Sequence, residues 1–298
     1  KERIAYKKSC AVRSFVCSAI CVSVGAHCMK MFHKSHFSAT INAKEASTVN
    51  EKRWQNYELT VNGLPQHIRY NADTVEGLFL PLLRRLTELQ KHENRRILAF
   101  LAAPPATGKS TLLQFLERLT QEQDDLTRIQ TFGMDGFHHP NRYLETHTIL
   151  RDGVEIPLKS IKGAPETFDV ARLAAKLRAA KEGATPFPVY DRRIHDVVPD
   201  ALTVDAEILL VEGNWLLLDE EPWQGLRTLA DYRLRIDAAP ELLRARLIAR
   251  KVQGGLSEAE ATAFYEASDA ANVLRFAAHA GAADEVWQMA ADGDFVRA

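Results

Sequence analysis

The sequence lacks cysteine over nearly all of its length. The four cysteines of this 298-residue chain all lie within the first 28 residues. Disulfide bonds within the rest of the chain are therefore excluded, which is typical of proteins from a reducing compartment. The gaps between the four cysteines, of six, three and six residues, match no common zinc-binding spacing.

Acidic residues are absent between Arg3 and Lys44, where Lys, Arg, Ser and Ala recur. The apolar run SFVCSAICVSVGA in this segment is too short to span a bilayer. Three interpretations stay open: a signal peptide, an organelle transit peptide, or translated sequence upstream of a start at Met29 or Met31. We treat residues 1–45 as a leader or disordered segment and predict one domain over 46–298, with its core at about 95–290.

An excess of charge of either sign is also lacking. The formal net charge is −1, and 46% of the residues are hydrophobic. The composition supplies a large core and gives no indication of a polyanionic partner. We expect a small-molecule partner, with no nucleic acid and no membrane, and leave a homodimer open. The expected location is cytoplasmic, or organellar if the leader is a genuine transit peptide.

The order of apolar segments predicts an α/β fold. A hairpin at 57–70 and an amphipathic helix at 74–92 form an N-terminal embellishment. Strands and helices then alternate, which predicts a mostly parallel sheet covered on both faces, the three-layer arrangement. The predicted strands are 96–102, 126–134, 206–213, 232–238 and 284–289. The predicted helices are 109–121, 169–181, 240–252 and 257–278.

A phosphate-binding loop joins the first of these strands to its helix. Residues 103–110 read APPATGKS, which matches the pattern G-x-x-x-x-G-K-[ST] except that Ala103 replaces the first glycine. We expect this alanine to be tolerated if its φ is not positive. Gly108 lets the backbone approach a phosphate, Lys109 supplies a positive charge, and the Ser110 hydroxyl can bind Mg²⁺.

Two acidic residues follow neighbouring predicted strands. Asp135 stands at the end of the second strand, in GMDGF, and Glu212 at the end of the third, in LLVEG. Because ligands of open parallel sheets bind at the carboxyl ends of the strands, both should meet Lys109 in one crevice. We predict that Asp135 accepts the proton of an attacking hydroxyl and that Glu212 binds the metal ion.

The motifs ATGKST, MDGFHHPN, KGAPETFD, PVYDRRIHDVVPD, LLVEGNWLL and APELLRARLIARK occur in one order. That order resembles the superfamily of uridine kinase, phosphoribulokinase and bacterial-type pantothenate kinase, in particular a nucleoside/nucleotide kinase-like branch. The resemblance implies a P-loop fold that uses ATP and Mg²⁺. It implies catalytic roles for Asp135, Lys109 and Arg250, and metal binding by Ser110, beside the Glu212 that its strand-end position assigns to the metal. The implied nucleotide-binding residues are Ala106, Thr107, Gly108, Lys109, Ser110, Thr111 and Arg246.

The acceptor side of the resemblance is less complete. Tyr190, Arg192 and His195 are expected to line the acceptor pocket. Gly163 stands where uridine kinases carry an acid that binds ribose, which favours an alcohol other than a nucleoside. The expected function is transfer of the γ-phosphate of ATP to a hydroxyl of a pantothenate-like, sugar or nucleoside acceptor. The alternative is a non-catalytic or regulatory nucleotide-binding protein, motivated by Ala103 and Ala106.

Overall fold

A computed structural model describes residues 51–61, 63–151 and 153–298. The predicted leader at 1–45 lies outside the described residues, and the domain bounds stay a prediction. Within the described ranges, no helix combines the length and the apolar composition needed to cross a membrane.

The described chain contains twelve strands and eight α-helices. The strands are β1 (Trp54–Val61), β2 (Leu64–Asn71), β3 (Ile97–Ala102), β4 (Ile129–Gly133), β5 (Thr148–Arg151), β6 (Val154–Pro157), β7 (Thr185–Asp191), β8 (Asp196–Val204), β9 (Ile208–Gly213), β10 (Tyr232–Ala238), β11 (Glu285–Met289) and β12 (Phe295–Arg297). The helices are α1 (Ala72–Thr74), α2 (Leu80–Glu93), α3 (Lys109–Glu122), α4 (Asn141–Thr146), α5 (Val170–Glu182), α6 (Pro240–Gln253), α7 (Glu258–Phe264) and α8 (Ala270–His279).

Six strands form the central sheet in the order β12-β11-β10-β3-β9-β4. Five of them are parallel, and only the edge strand β12 runs antiparallel to its neighbour. The five parallel strands are the five that the sequence predicts, although β4 begins at Ile129 rather than 126. The predicted α/β fold with a mostly parallel sheet is therefore confirmed.

The sheet separates two hydrophobic cores. All six residues of β3 are buried, as expected for a strand covered on both faces. Ile97, Ala99 and Leu101 belong to the core under α2 and α3, whereas the alternate residues of β3 belong to the core under α5. This alternation follows from the two-residue period of a strand. Asp169 caps α5 by accepting a hydrogen bond from the Arg172 amide at 2.9 Å, as its position predicts.

The predicted N-terminal hairpin and helix are present and dock on the sheet domain. β1 and β2 pair antiparallel, and a π-helical turn at Val75–Phe79 joins α1 to α2. The rings of Tyr57 and Tyr70 lie 4.6 and 4.5 Å from the ring of Phe115 on α3. Aromatic contacts of this kind add to the area that they bury. The hairpin is therefore anchored to the helix that follows the phosphate loop.

Three features of the fold escape the sequence prediction. The hairpins β5–β6 and β7–β8 lie outside the central sheet, and β12 is only three residues long. β8 contains Pro199 and is exposed along much of its length, so its sequence lacks the apolar alternation of a core strand. The helix predicted over 257–278 is interrupted by a π-helical turn at Tyr265–Asp269.

Candidate active site

The phosphate-binding loop connects β3 to α3 at the centre of the sheet. Gly108, the N-cap of α3, has φ of 86° in the left-handed region, which glycine adopts without strain. The Thr107 hydroxyl donates to the Pro104 carbonyl at 3.0 Å and thereby closes the loop on itself. The Lys109 ammonium donates to the same carbonyl at 3.0 Å and to Asn214 Oδ1 at 2.7 Å. Thr111 follows, half-buried, in the first turn of α3.

The two alanines of the loop differ in backbone conformation. Ala103 is fully buried and is absent from the residues with positive φ in the described chain. Ala106 has φ of 67°, a conformation that costs an L-residue about 1–2 kcal/mol. Replacement of the first glycine by Ala103 is therefore free of backbone strain. The strain lies at Ala106 instead.

Glu212 and Ser110 meet beside this loop. β9 lies between β3 and β4, so Glu212 at its carboxyl end is adjacent to both neighbouring strand ends. The Ser110 hydroxyl donates to Glu212 Oε1 at 2.7 Å. Burial raises the pKa of the Glu212 carboxyl, and the positive charge of Lys109 opposes this shift.

Asp135 follows β4 on a 3₁₀ turn, Met134–Phe137. The turn packs directly against β7: a side chain at Gly136 would overlap the Pro188 carbonyl. Glycine in the Asp-Gly pair is therefore required by close backbone approach. The His138 ring donates from Nδ1 to the Asp135 carbonyl at 2.8 Å, which fixes the turn from the other side.

A cavity of about 310 Å³ joins these groups. Ser110, Asp135 and Glu212 line it, as do Tyr190 and Arg192 from the β7–β8 hairpin. Thr60, Val61 and Gly63 at the tip of the β1–β2 hairpin form the opposite wall. The volume lies at the lower end of the range of small-molecule sites.

The charges around Lys109 act on one another. Burial lowers the pKa of the Lys109 ammonium, and the negative charges of Glu212 and Asp135 oppose that shift. The positive charges of Arg250 and Arg192 lower the same pKa further. The ammonium, the two carboxylates and the two guanidinium groups are therefore close enough for their charges to interact.

Helix α6 brings two arginines to the loop. Arg246 donates from Nε to the Ala106 carbonyl at 2.8 Å. Arg246 and Arg250 are both exposed, and partial burial of each guanidinium lowers its pKa. Asp269 and Asp135 oppose the shift at Arg250.

The three predicted acceptor residues occupy different positions. Tyr190 is half-buried in the cavity wall, and burial followed by the charge of Asp135 raises the pKa of its phenol. Arg192 lines the same cavity. His195 is exposed, has φ of 53° and is absent from the lining residues; its backbone carbonyl accepts from Lys162 and Asn141 instead. The structure thus brings together Tyr190 and Arg192 but not the His195 ring.

Two side chains at the site were not predicted. Asn214 holds the Lys109 ammonium, and it directly follows the strand-end pair Glu212-Gly213. Lys162 lies with its ammonium 4.8 Å from the centroid of the Tyr190 ring. Lys162 belongs to the motif KGAPETFD, which can be recognised in the sequence. Only the folded chain shows that this lysine lies beside Tyr190.

The described residues contain no group of three or more His, Cys, Asp or Glu side chains arranged to hold a metal. Mg²⁺ bound with a nucleotide usually needs only one or two carboxylates, because phosphates and water complete its shell. A hydroxyl and a half-buried carboxylate 2.7 Å apart at the mouth of the phosphate loop fit that requirement. Ser110 and Glu212 are therefore the residues suited to hold it.

A parallel sheet, a phosphate loop between strand and helix, and acids at two neighbouring strand ends define the chain as a P-loop nucleotide-binding protein of the kinase type.

Comparison with known proteins gives the family. No protein-family model matches the chain. Over 239 residues it is 46% identical to the Escherichia coli (strain K12) protein YggC, whose activity is uncharacterized; the match spans 80% of this chain and 97% of YggC. A Schizosaccharomyces pombe protein provisionally named uridine kinase C227.14 is 32% identical over 60% of this chain and 76% of its own length.

A crystal structure from Silicibacter sp. TM1040, provisionally named a fructose transport system kinase, superposes with a TM-score of 0.61. It is 30% identical and covers 69% of this chain and 98% of its own. The chain belongs to the P-loop kinase superfamily that includes uridine kinase, phosphoribulokinase and pantothenate kinase. It is thus a kinase and a transferase by family, with an acceptor that its relatives do not determine.

Proposed function

We propose that this kinase transfers the γ-phosphoryl group of ATP to a hydroxyl group of a small metabolite. The observation that carries the proposal is the shared cavity: Asp135 lines it together with Ser110 and Glu212, at the mouth of the phosphate loop. A carboxylate in that place can accept the proton of an alcohol as its oxygen attacks phosphorus. The new bond joins acceptor oxygen to phosphorus, the bond to the β,γ-bridging oxygen breaks, and ADP leaves.

The positively charged side chains stabilise the negative charge on the phosphates during transfer. Lys109 is held by Pro104 and Asn214 and needs no reorganisation to stabilise charge on the phosphates. Arg250 adds a guanidinium whose charge acts on both Lys109 and Asp135. Arg246 connects α6 to the loop through the Ala106 carbonyl. Ser110 and Glu212 would hold Mg²⁺, which would supply further charge neutralisation when bound.

The test is acceptor-dependent release of ADP by the full chain. Pantothenate, uridine and fructose serve as first acceptors, with ATP and Mg²⁺ present. We expect turnover with at least one small alcohol, and Asp135→Asn should lower its kcat by about 10²–10⁴-fold while nucleotide binding persists. Asp191→Asn is the matched control, because that carboxylate pairs with Arg193 outside the cavity.

The alternative, a nucleotide-binding protein without turnover, is motivated by the strained Ala106. It predicts nucleotide binding without acceptor-dependent ADP release across a broad panel of alcohols. The homodimer and the cytoplasmic location stay predictions, which light scattering of the purified chain and imaging of the tagged protein would test.

A further inference from the structure

Two consecutive arginines on the turn between β7 and β8 have opposite surroundings. Arg193 pairs with Asp191, with Nη2 2.6 Å from Oδ2, and its side chain is 89% exposed. Arg192 lines the cavity and, within the described part of the chain, forms no ion pair and no side-chain hydrogen bond. A guanidinium that faces a cavity without a carboxylate partner is suited to an anion.

A second cation lies behind the same wall. The Lys162 ammonium is half-buried and donates to Asn141 Oδ1 and to the His195 carbonyl, both at 2.8 Å. Both acceptors are neutral, so its charge is not cancelled by a direct ion pair among the described residues. The ammonium lies over the Tyr190 ring, which belongs to the same cavity wall as Arg192.

The nearby acids are already engaged. Glu212 accepts from Ser110, and Asp191 is paired with Arg193. Asp196 accepts from the backbone amides of Asn141 and Val197. Asp135 is the proposed base. Among the described residues none of these four carboxylates forms an ion pair with Arg192, although the charge of Arg192 opposes the rise that burial causes in the pKa of Glu212.

The remaining walls of the cavity combine the polar side chains of Thr60, Gln114 and Thr131 with a set of apolar ones. The apolar side chains come from the β1–β2 hairpin, α3, β4, β7 and β8: Val61, Leu113, Phe132, Pro188, Val189 and Leu202. Together with Asp135 and Arg192, they define three requirements for an occupant: a hydroxyl, an anionic group and an apolar section. A free sugar or a nucleoside lacks the anion.

We propose that the acceptor is an anionic alcohol, which presents its hydroxyl to Asp135 and its carboxylate or phosphate group to Arg192. Lys162 increases the positive potential at the same end. This inference rests on the proposed function and specifies the substrate class of that site. Carboxylate and phosphate share the recognition chemistry, so the experiment must distinguish them.

The experiment uses acceptors in pairs that differ only by the anionic group. Pantothenate is paired with pantothenyl alcohol, glycerate with glycerol, and fructose 6-phosphate with fructose. ADP release by the full chain gives kcat/KM for each. We expect the anionic member of at least one pair to be preferred by at least about 10-fold, and the pair that shows it identifies the group.

Substitutions of the two arginines then test which of them binds the anionic group of the acceptor. Arg192→Gln should lower kcat/KM for the anionic acceptor by at least about 10-fold more than it lowers kcat/KM for the neutral partner, because only the anionic acceptor loses its counter-charge. Arg192→Lys should recover only part of the loss, since an ammonium cannot bind an anion in the bidentate manner. Arg193→Gln, next in sequence but paired in solvent, should change neither.

Three outcomes would overturn the inference. If Arg192→Gln lowers both members of a pair equally, Arg192 acts on the transferred phosphoryl group, and the kinase proposal stands without the anionic acceptor. If neutral acceptors are preferred, the substrate class is wrong. If no acceptor gives turnover, the proposed function fails. Anion binding is then tested by the thermal shift of the protein with each acceptor and a non-hydrolysable ATP analogue. Equal shifts from the anionic and the neutral member of every pair would contradict it.

Discussion

The two ends of the candidate site are built differently. The phosphate end comes from consecutive elements, β3, the loop and α3, with β9 beside them in the sheet. The acceptor end combines the β1–β2 hairpin tip, the turn after β4 and the β7–β8 hairpin, which are far apart in sequence. The phosphate end thus depends on short-range geometry, whereas the acceptor end depends on how three separate segments pack.

Burial differs in the same way. Lys109 begins α3 and Glu212 lies at the end of β9, and burial shifts the pKa of each toward its neutral form. Arg192 is exposed on a hairpin outside the central sheet. The difference indicates that the core positions the groups that bind phosphate. Changes in the surface hairpins can therefore alter which acceptor is bound without disrupting the core.

Substitution of Lys109 tests the phosphate end and should have the largest effect. Lys109→Met keeps the volume and removes the charge, so we expect kcat to fall by about 10²–10³-fold with every acceptor that the enzyme uses. Steady-state ADP release measures it. Lys91→Met on α2 is the control, as that lysine is exposed outside the cavity. A loss confined to one acceptor would contradict the division between the two ends.

The hairpin wall tests the acceptor end with a smaller effect. Val61→Ala removes two methyl carbons from the cavity wall, at about 0.8 kcal/mol each, so KM for the acceptor should rise by up to about 15-fold. KM for ATP should not change. Val154→Ala on the exposed strand β6 is the control. An equal rise in both KM values would mean that the hairpin supports the whole site rather than the acceptor.

The two loop alanines provide the smallest and most specific test. Ala106→Gly relieves left-handed strain at some cost in unfolded-chain entropy, so the free energy of unfolding should rise by about 0.5–1 kcal/mol. Ala103→Gly removes a fully buried methyl from an unstrained residue and should lower the free energy of unfolding by about 1–2 kcal/mol. Urea denaturation of both variants measures the two changes in free energy. Changes of the same sign would refute the contrast.

Much of the phosphate end could be predicted because its signals are local. The strand-loop-helix order and the residues Gly108, Lys109 and Ser110 follow one another in sequence, and the packing rules of parallel sheets bring Glu212 and Asp135 to the same edge. The acceptor end offered no such rule. β8 has neither an apolar run nor a clear alternation, so the hairpin that positions Arg192 was not predicted, and His195 was assigned to a cavity that its ring does not line.

The sequence by itself determined the order of the parallel strands along the chain, the phosphate loop and the acids that follow two strands, because hydrophobic period and motif spacing are encoded in neighbouring residues. Only the tertiary structure decided that the His195 ring lies outside the cavity, that Lys162 lies against Tyr190, and that an N-terminal hairpin forms a wall of the site. These contacts join residues separated by tens of positions, and they depend on packing between surfaces that no local pattern specifies.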